Sequence, residues 1–107
     1  MQSYISVHSK LGRTIRTSPN YWDRIVKLKH PVMEGREKEV RAILKDPILI
    51  KESARDPDVC LYYRTFAKRY ICVVVRHENG TGFIISCYPV DKIKEGKTIY
   101  EKDKSLS

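Results

Sequence analysis

The strongest constraint on the fold is a run of consecutive apolar residues in the second half of the chain, Ile71–Val75. A short run that is rich in β-branched residues is typical of a strand buried on both faces, in the middle of a sheet. The dipeptide Asn79–Gly80 comes soon after it and favours the tight turn of a β-hairpin. The run therefore predicts a central strand at 69–76 that turns back into a partner strand at 83–88.

Segments with weaker alternation of polar and apolar residues predict further strands. Five further strands are predicted, the first two as a weak hairpin: 3–8, 13–18, 48–53, 60–66 and 98–100. Between the third and fourth of these, Pro57 stands at a typical turn position. The second half of the chain therefore predicts an antiparallel meander.

A first helix is predicted directly after the N-terminal hairpin. Ser18 can cap it, and Pro19 suits its first position, where a backbone N–H would have no partner in any case. Pro31 disfavours a helical conformation at His30, so the helix should end near Lys29.

A second helix is predicted within 34–46, where apolar residues recur at helical spacing and Glu37 supports Arg41 one turn later. Together the elements predict one domain over 1–107 with its core at about 10–100. The predicted fold class is α+β, with two N-terminal helices packed on a twisted antiparallel sheet.

The charge of the chain favours a polyanionic partner. Its 107 residues carry 21 Lys and Arg against 13 Asp and Glu, a net charge of +8, and the excess is present in both halves. A folded basic surface attracts nucleic acid, although a basic protein without such a partner stays an alternative. No apolar segment is long enough to span a membrane and the N-terminus lacks an apolar signal core, so a cytoplasmic protein with no membrane partner is predicted.

The three cysteines, Cys60, Cys72 and Cys87, stand in apolar runs without C-x-x-C spacing. They are predicted to be small buried thiols in a reducing compartment, not disulfides or zinc ligands. The three histidines are too scattered along the sequence for a metal set, and no phosphate-binding glycine loop is present. We therefore expect neither a metal nor a cofactor.

One histidine is a candidate for proton transfer. Metal-free cleavage of RNA needs a base for the 2′-hydroxyl, an acid for the leaving 5′-oxygen and cations for the developing charge. His30 could transfer the proton, and strand arginines could hold the phosphate with their planar fork of donors. The structural alternative stays open, since a cation is favourable near any helix C-terminus and surface arginines commonly form ion pairs.

Strand parity sorts the candidates on the sheet, because alternate residues share a face. It predicts that Tyr62 shares a face with Arg64, and that Ser86 and Tyr88 share a face with Ile84. An arginine on the open face of the sheet, near a serine and a tyrosine, could bind a phosphate.

The order of motifs resembles that of a known nuclease fold. The motifs are W-x-x-I-(x)4-HP, ES-x-RDPDV-x-LYYR, YICVVV and GTGFIISCYPVDKIKEG. In this order they resemble a small phage- and bacteria-borne branch of the Barnase–EndoU–Colicin–RelE nucleases, over roughly residues 10–100. That group includes metal-independent ribonucleases and the toxins of toxin–antitoxin systems.

The resemblance implies a catalytic set on this chain: His30, Arg55, Arg64, Ser86 and Tyr88. Further residues are predicted to contact RNA: Arg24, Lys29, Tyr63, Lys68, Arg76 and Lys92. Some relatives carry a second histidine where Arg24 stands, and an arginine is a poor proton shuttle because it stays protonated.

The sequence supports two hypotheses about function. The first is a metal-independent ribonuclease, a toxin or phage-derived effector, that leaves a 2′,3′-cyclic phosphate; its partners would be RNA and an antitoxin protein. The second is an inactive module of the same fold that binds RNA or another protein. Either could be a monomer or a homodimer, because sheet edges are expected to be open.

Overall fold

The structure, a computed structural model, describes residues 4–102, which form seven strands and two short α-helices. The ends of the predicted domain, 1–3 and 103–107, lie outside the described residues. The strands are β1 (Ile5–His8), β2 (Thr14–Thr17), β3 (Leu49–Ser53), β4 (Val59–Phe66), β5 (Arg69–Glu78), β6 (Thr81–Val90) and β7 (Gly96–Glu101). The helices are α1 (Pro19–Arg24) and α2 (Glu37–Lys45). Between them lie a π-helical turn (Ile25–Lys29) and a 3-10 turn (Pro31–Met33).

All the strands join one mixed sheet in the order β1-β2-β6-β5-β4-β3-β7. β2 runs parallel to β6, while the other neighbouring pairs are antiparallel. The predicted architecture of two N-terminal helices on an antiparallel sheet is therefore wrong. The N-terminal hairpin is part of the sheet, because β2 docks on the free side of β6, and the two helices are short elements of a small α+β domain.

The first helical segment begins as predicted but is not one regular helix. The Ser18 hydroxyl accepts a hydrogen bond from the Tyr21 N–H at 3.1 Å, and Pro19 occupies the first turn. The α-helix ends at Arg24 after six residues, and the chain continues as the π-helical turn to Lys29. His30 then leaves the helical conformation, at φ −138° and ψ 74°, as expected for a residue before proline.

The two faces of the sheet differ in what covers them. On one face, buried residues of both helices, such as Trp22 and Leu44, pack against Tyr62 and Val73 of the sheet. The opposite face, called here the far face, is centred on a smaller apolar cluster: Leu61, Tyr63 and Cys72, flanked by Val74, Tyr88 and Ile93. Tyr63, Cys72 and Tyr88 lie side by side on β4, β5 and β6. β5 is the fourth strand of seven, so the predicted central strand is confirmed.

A bulge in β6 changes one prediction from strand parity. Val74 pairs with Ser86 but Val75 pairs with Ile84, which leaves Ile85 as an extra residue. Ile84 is therefore buried on the helical face while Tyr88 packs on the far face, so the prediction that they share a face is wrong. Ser86 and Tyr88 do share the far face.

Cys60, Cys72 and Cys87 are free and buried, as predicted. Among residues 4–102, no helix has the length and apolar character needed to cross a membrane.

Candidate functional site

His30 lies against Tyr88 at the edge of the sheet. β2 pairs with β6 only at Thr81–Phe83, so the helical segment that ends at His30 can lie beside the rest of β6. The ring centroids of His30 and Tyr88 are 5.0 Å apart, with the planes at 43°. Partial burial, and then the positive charge of Lys29, lower the pKa of His30 below its ordinary value. The imidazole is therefore neutral at pH 7 and able to accept a proton.

The ammonium group of Lys94 completes a three-residue cluster. Its Nζ donates to the hydroxyl of Tyr88 at 3.1 Å and stands 5.4 Å from the centroid of the Tyr88 ring. The hydrogen bond with Tyr88 raises the pKa of Lys94, so this side chain stays charged. Burial raises the pKa of Tyr88 despite the nearby ammonium, so the phenol keeps its proton at neutral pH. We call His30, Tyr88 and Lys94 the histidine cluster.

Residues packed on the far face fix the position of this cluster. The register puts Tyr63, Cys72 and Tyr88 in one row across β4, β5 and β6. The buried Tyr63 hydroxyl accepts a hydrogen bond from the Lys94 backbone N–H at 3.1 Å, which fixes the loop after β6 over the row. Burial raises the pKa of the Cys72 thiol to about 11, so the thiol is uncharged and serves as packing.

Two more predicted residues lie near the histidine cluster. Ser86 is two residues before Tyr88 on the same face of β6, opposite Val74. Arg55 is exposed in the turn between β3 and β4, and its charge acts on Lys94, where it opposes the rise in pKa. The structure therefore places His30 against Tyr88, Ser86 on the same face of β6 as Tyr88, and Arg55 at the margin.

Arg64 is not part of this arrangement. It projects from the helical face of β4 and donates to the Asp46 carbonyl at 2.9 Å and to its carboxylate at 3.3 Å. Asp46 is the residue that ends α2. Arg64 thus holds the end of a helix on the opposite side of the sheet from Tyr88.

The residues predicted to contact RNA are dispersed. Tyr63 is fully buried, and its hydroxyl is occupied by the Lys94 N–H. Arg76 lies on the far face but is ion-paired with Asp56 at 2.6 Å. The others are exposed in separate places, in the first helical segment, the β4–β5 turn and the loop after β6: Arg24, Lys29, Lys68 and Lys92.

Lys94 is the residue of this cluster that sequence reasoning missed. It stands in the segment DKIKEG, in which Lys92 and not Lys94 is the predicted RNA contact. Only the fold of the loop, fixed on the Tyr63 hydroxyl, brings its ammonium to Tyr88. Within residues 4–102, no group of three or more His, Cys, Asp or Glu side chains is arranged to hold a metal ion.

A second polar cluster lies on the helical face. His77 Nε2 is 3.3 Å from the Tyr62 hydroxyl and its Nδ1 is 3.5 Å from Cys60 Sγ. The Tyr62 hydroxyl in turn donates to Ser9 Oγ at 3.1 Å. Burial, and then the charge of Arg13, lower the pKa of His77 to about 4, so it is neutral inside this network.

Comparison with known proteins identifies no relative: no family model, no curated protein and no solved structure matches the chain.

Proposed function

We propose that this protein is a metal-independent ribonuclease whose active site is the histidine cluster. The observation that carries the proposal is the position of a neutral imidazole, His30, against a phenol that accepts a hydrogen bond from the ammonium group of Lys94. These are a base, a hydroxyl donor and a cation, which are the groups that RNA cleavage by the 2′-hydroxyl requires. The net charge of +8 supports a polyanionic substrate.

In this proposal each side chain has a defined role. His30 removes the proton of the 2′-hydroxyl, which attacks the adjacent phosphorus. Lys94 stabilises the charge that develops on the phosphoryl oxygens, and Arg55 adds a second cation nearby. Because Lys94 donates to the phenol oxygen, the O–H of Tyr88 is available to protonate the leaving 5′-oxygen. The products are a 2′,3′-cyclic phosphate and a 5′-hydroxyl.

The resemblance to Barnase–EndoU–Colicin–RelE nucleases supports the same reaction. If it holds, the protein acts on RNA in a cytoplasm as a toxin or phage-derived effector, with an antitoxin protein as its second partner. In that case Lys94 binds the phosphate in place of Arg64. The side chain of Arg64 is bound to Asp46 and supports the fold instead.

The test is cleavage of RNA by the purified protein in the presence of EDTA. We expect cyclic-phosphate and 5′-hydroxyl ends, and a loss of about 10²- to 10⁴-fold in rate for His30→Ala. The exposed histidine of β1 provides the control, and His8→Ala should cleave like the wild type. The rate should also fall as the pH drops below about 6.5, through the lowered pKa of His30, because only the neutral imidazole is a base.

A second candidate function is binding of RNA without cleavage. The observation that favours it is Arg24, exposed on the first helix at the position where some members of the nuclease group that the sequence resembles carry a second histidine. This function predicts intact RNA and an affinity that falls steeply with salt. Intact RNA after incubation with excess protein would exclude the ribonuclease, and absence of RNA binding at low salt would exclude both functions.

A further inference from the structure

On the far face, three residues of neighbouring strands form a row in which an aromatic side chain lies between two arginines. The register pairs Phe83 of β6 with Arg16 of β2 on one side and with Arg76 of β5 on the other. Neighbouring strands lie about 4.8 Å apart, so the two arginines flank the phenylalanine directly. We call these three residues the arginine–phenylalanine row.

The aromatic ring in this row is exposed and held from one side. Phe83 is 36% exposed, although it lies within the sheet. Tyr21 of α1 contacts it in an edge-on arrangement, with ring centroids 4.7 Å apart and planes at 75°. An edge-on neighbour fixes the ring while leaving aromatic surface free for another flat group.

The row borders a cleft of about 420 Å³, which Phe83, Tyr21, Arg16 and Arg76 help to line. This volume is in the range of small-ligand sites. Glu78 also lines the cleft, and its carboxylate repels anions from that end. A phosphate is therefore favoured on the Arg16 side, where no carboxylate lies within ion-pair distance among residues 4–102.

The row and the histidine cluster lie along the same strand. Tyr21, near the start of the first helical segment, contacts Phe83, and His30, at its end, contacts Tyr88. The five steps from residue 83 to residue 88 correspond to about 15 Å of strand. An extended oligonucleotide of a few residues can therefore contact both.

We propose that the arginine–phenylalanine row is a base-stacking subsite for single-stranded RNA, a few nucleotides from the phosphate at His30. A base stacks on Phe83, and Arg16 and Arg76 contact the flanking phosphates; Arg76 does so while remaining beside Asp56 and Asp58. Single-stranded RNA is the fitting ligand because a base must be unstacked from its neighbours to lie on an isolated ring. This inference rests on RNA being the substrate in the proposed function.

The test is binding of a fluorescent single-stranded RNA with 2′-O-methyl riboses, which cannot undergo attack by the 2′-oxygen. We expect Phe83→Ala to weaken binding about tenfold. Phe83→Leu should weaken it similarly because it keeps apolar surface but removes the ring, and Phe83→Tyr should bind like the wild type. Tyr4→Leu, which removes an aromatic ring that is 40% exposed beside α2, is the control and should change nothing.

The outcomes separate the two proposals. Equal binding by wild type and Phe83→Ala, or full binding by Phe83→Leu, overturns the stacking subsite without affecting the ribonuclease. Binding that depends on the aromatic ring, in a protein that leaves unmodified RNA intact, supports the subsite and overturns the ribonuclease. No binding of single-stranded RNA by the wild type overturns both. Circular dichroism of each variant confirms that the fold is retained.

Discussion

His77 shows how a buried network on the helical face selects one protonation state. The neutral tautomer with its proton on Nε2 can donate to Tyr62, while Nδ1 accepts from the Cys60 thiol. A second ring proton would remove that acceptor and place a charge near Arg13, which agrees with a pKa lowered to about 4. Asp58 opposes this effect but does not outweigh burial.

We predict that the protein loses stability between pH 6.5 and pH 4 because of His77. The unfolded chain binds a proton at a pKa near 6.5, whereas the folded chain does so only near 4. The contribution is fully present above pH 6.5, is lost as the pH falls and does not decrease further below about 4. Since the ring is only partly buried and solvent screens its charge, we expect a loss of about 1–2 kcal/mol.

Urea unfolding at pH 7.0, 5.5 and 4.5 measures this dependence. The variant His77→Gln should flatten the pH profile, because an amide does not titrate in this range. His8→Gln, at an exposed position of β1, should keep the wild-type slope. A wild-type slope in His77→Gln would assign the pH dependence to other groups.

At the same scale, the sequence identified His30, Ser86 and Tyr88 as candidates; the structure places His30 against Tyr88, and Ser86 on the same face of β6 as Tyr88. Strand parity correctly predicted that Tyr63 and Arg64 lie on opposite faces of the sheet. It could not show which face would pack against the helices. The partners of individual side chains depend on long-range packing. For that reason the contact of Lys94 with Tyr88 was not predictable.

At the scale of elements, local signals placed the boundaries of most strands and the start of the first helix. The Asn79–Gly80 turn and the apolar run of β5 are local features, and both lie where predicted. The parallel pairing of β2 with β6 has no local signal, because it joins segments from opposite halves of the chain. A simple alternating pattern also does not predict the extra residue Ile85, which forms the bulge in β6.

We predict that Gly96→Ala destabilises the edge of the sheet. A Cβ at Gly96 would collide with the backbone carbonyl oxygen of Glu52 and lie 3.3 Å from its carbonyl carbon. Backbone atoms cannot rotate away, so β7 would have to separate from β3, with which it pairs through Ser53. The expected cost is about 1–3 kcal/mol of unfolding free energy.

Thermal and urea unfolding measure this cost, and hydrogen exchange locates it. Faster exchange in β7 than in β5 would show that the edge opens first. Lys97→Ala, at the next and exposed position of the same strand, is the control and should change stability by less than about 0.5 kcal/mol. Wild-type stability in Gly96→Ala would contradict the close approach of β7 to Glu52.

At the scale of the whole molecule, part of the positive charge is neutralised by nearby carboxylates. Several basic side chains are neutralised by nearby carboxylates, as in the pairs of Arg64 and Lys102 with Asp46 and of Arg69 with Asp91. Within the described part of the chain, other cations have no carboxylate within ion-pair distance, Lys38 of α2 among them. They include Arg16, Arg55 and Lys94. Two of these belong to the arginine–phenylalanine row and the histidine cluster.

The two proposed sites predict that the salt dependence of RNA binding originates on the far face. For single strands, the slope of log K against log salt changes by about 0.7 for each phosphate contact. Arg16→Gln should therefore make the slope shallower by about 0.7, whereas Lys38→Gln, which removes an equal charge from α2, should leave it unchanged. Equal changes in the two variants would mean that RNA responds to the net charge of the protein and not to this surface.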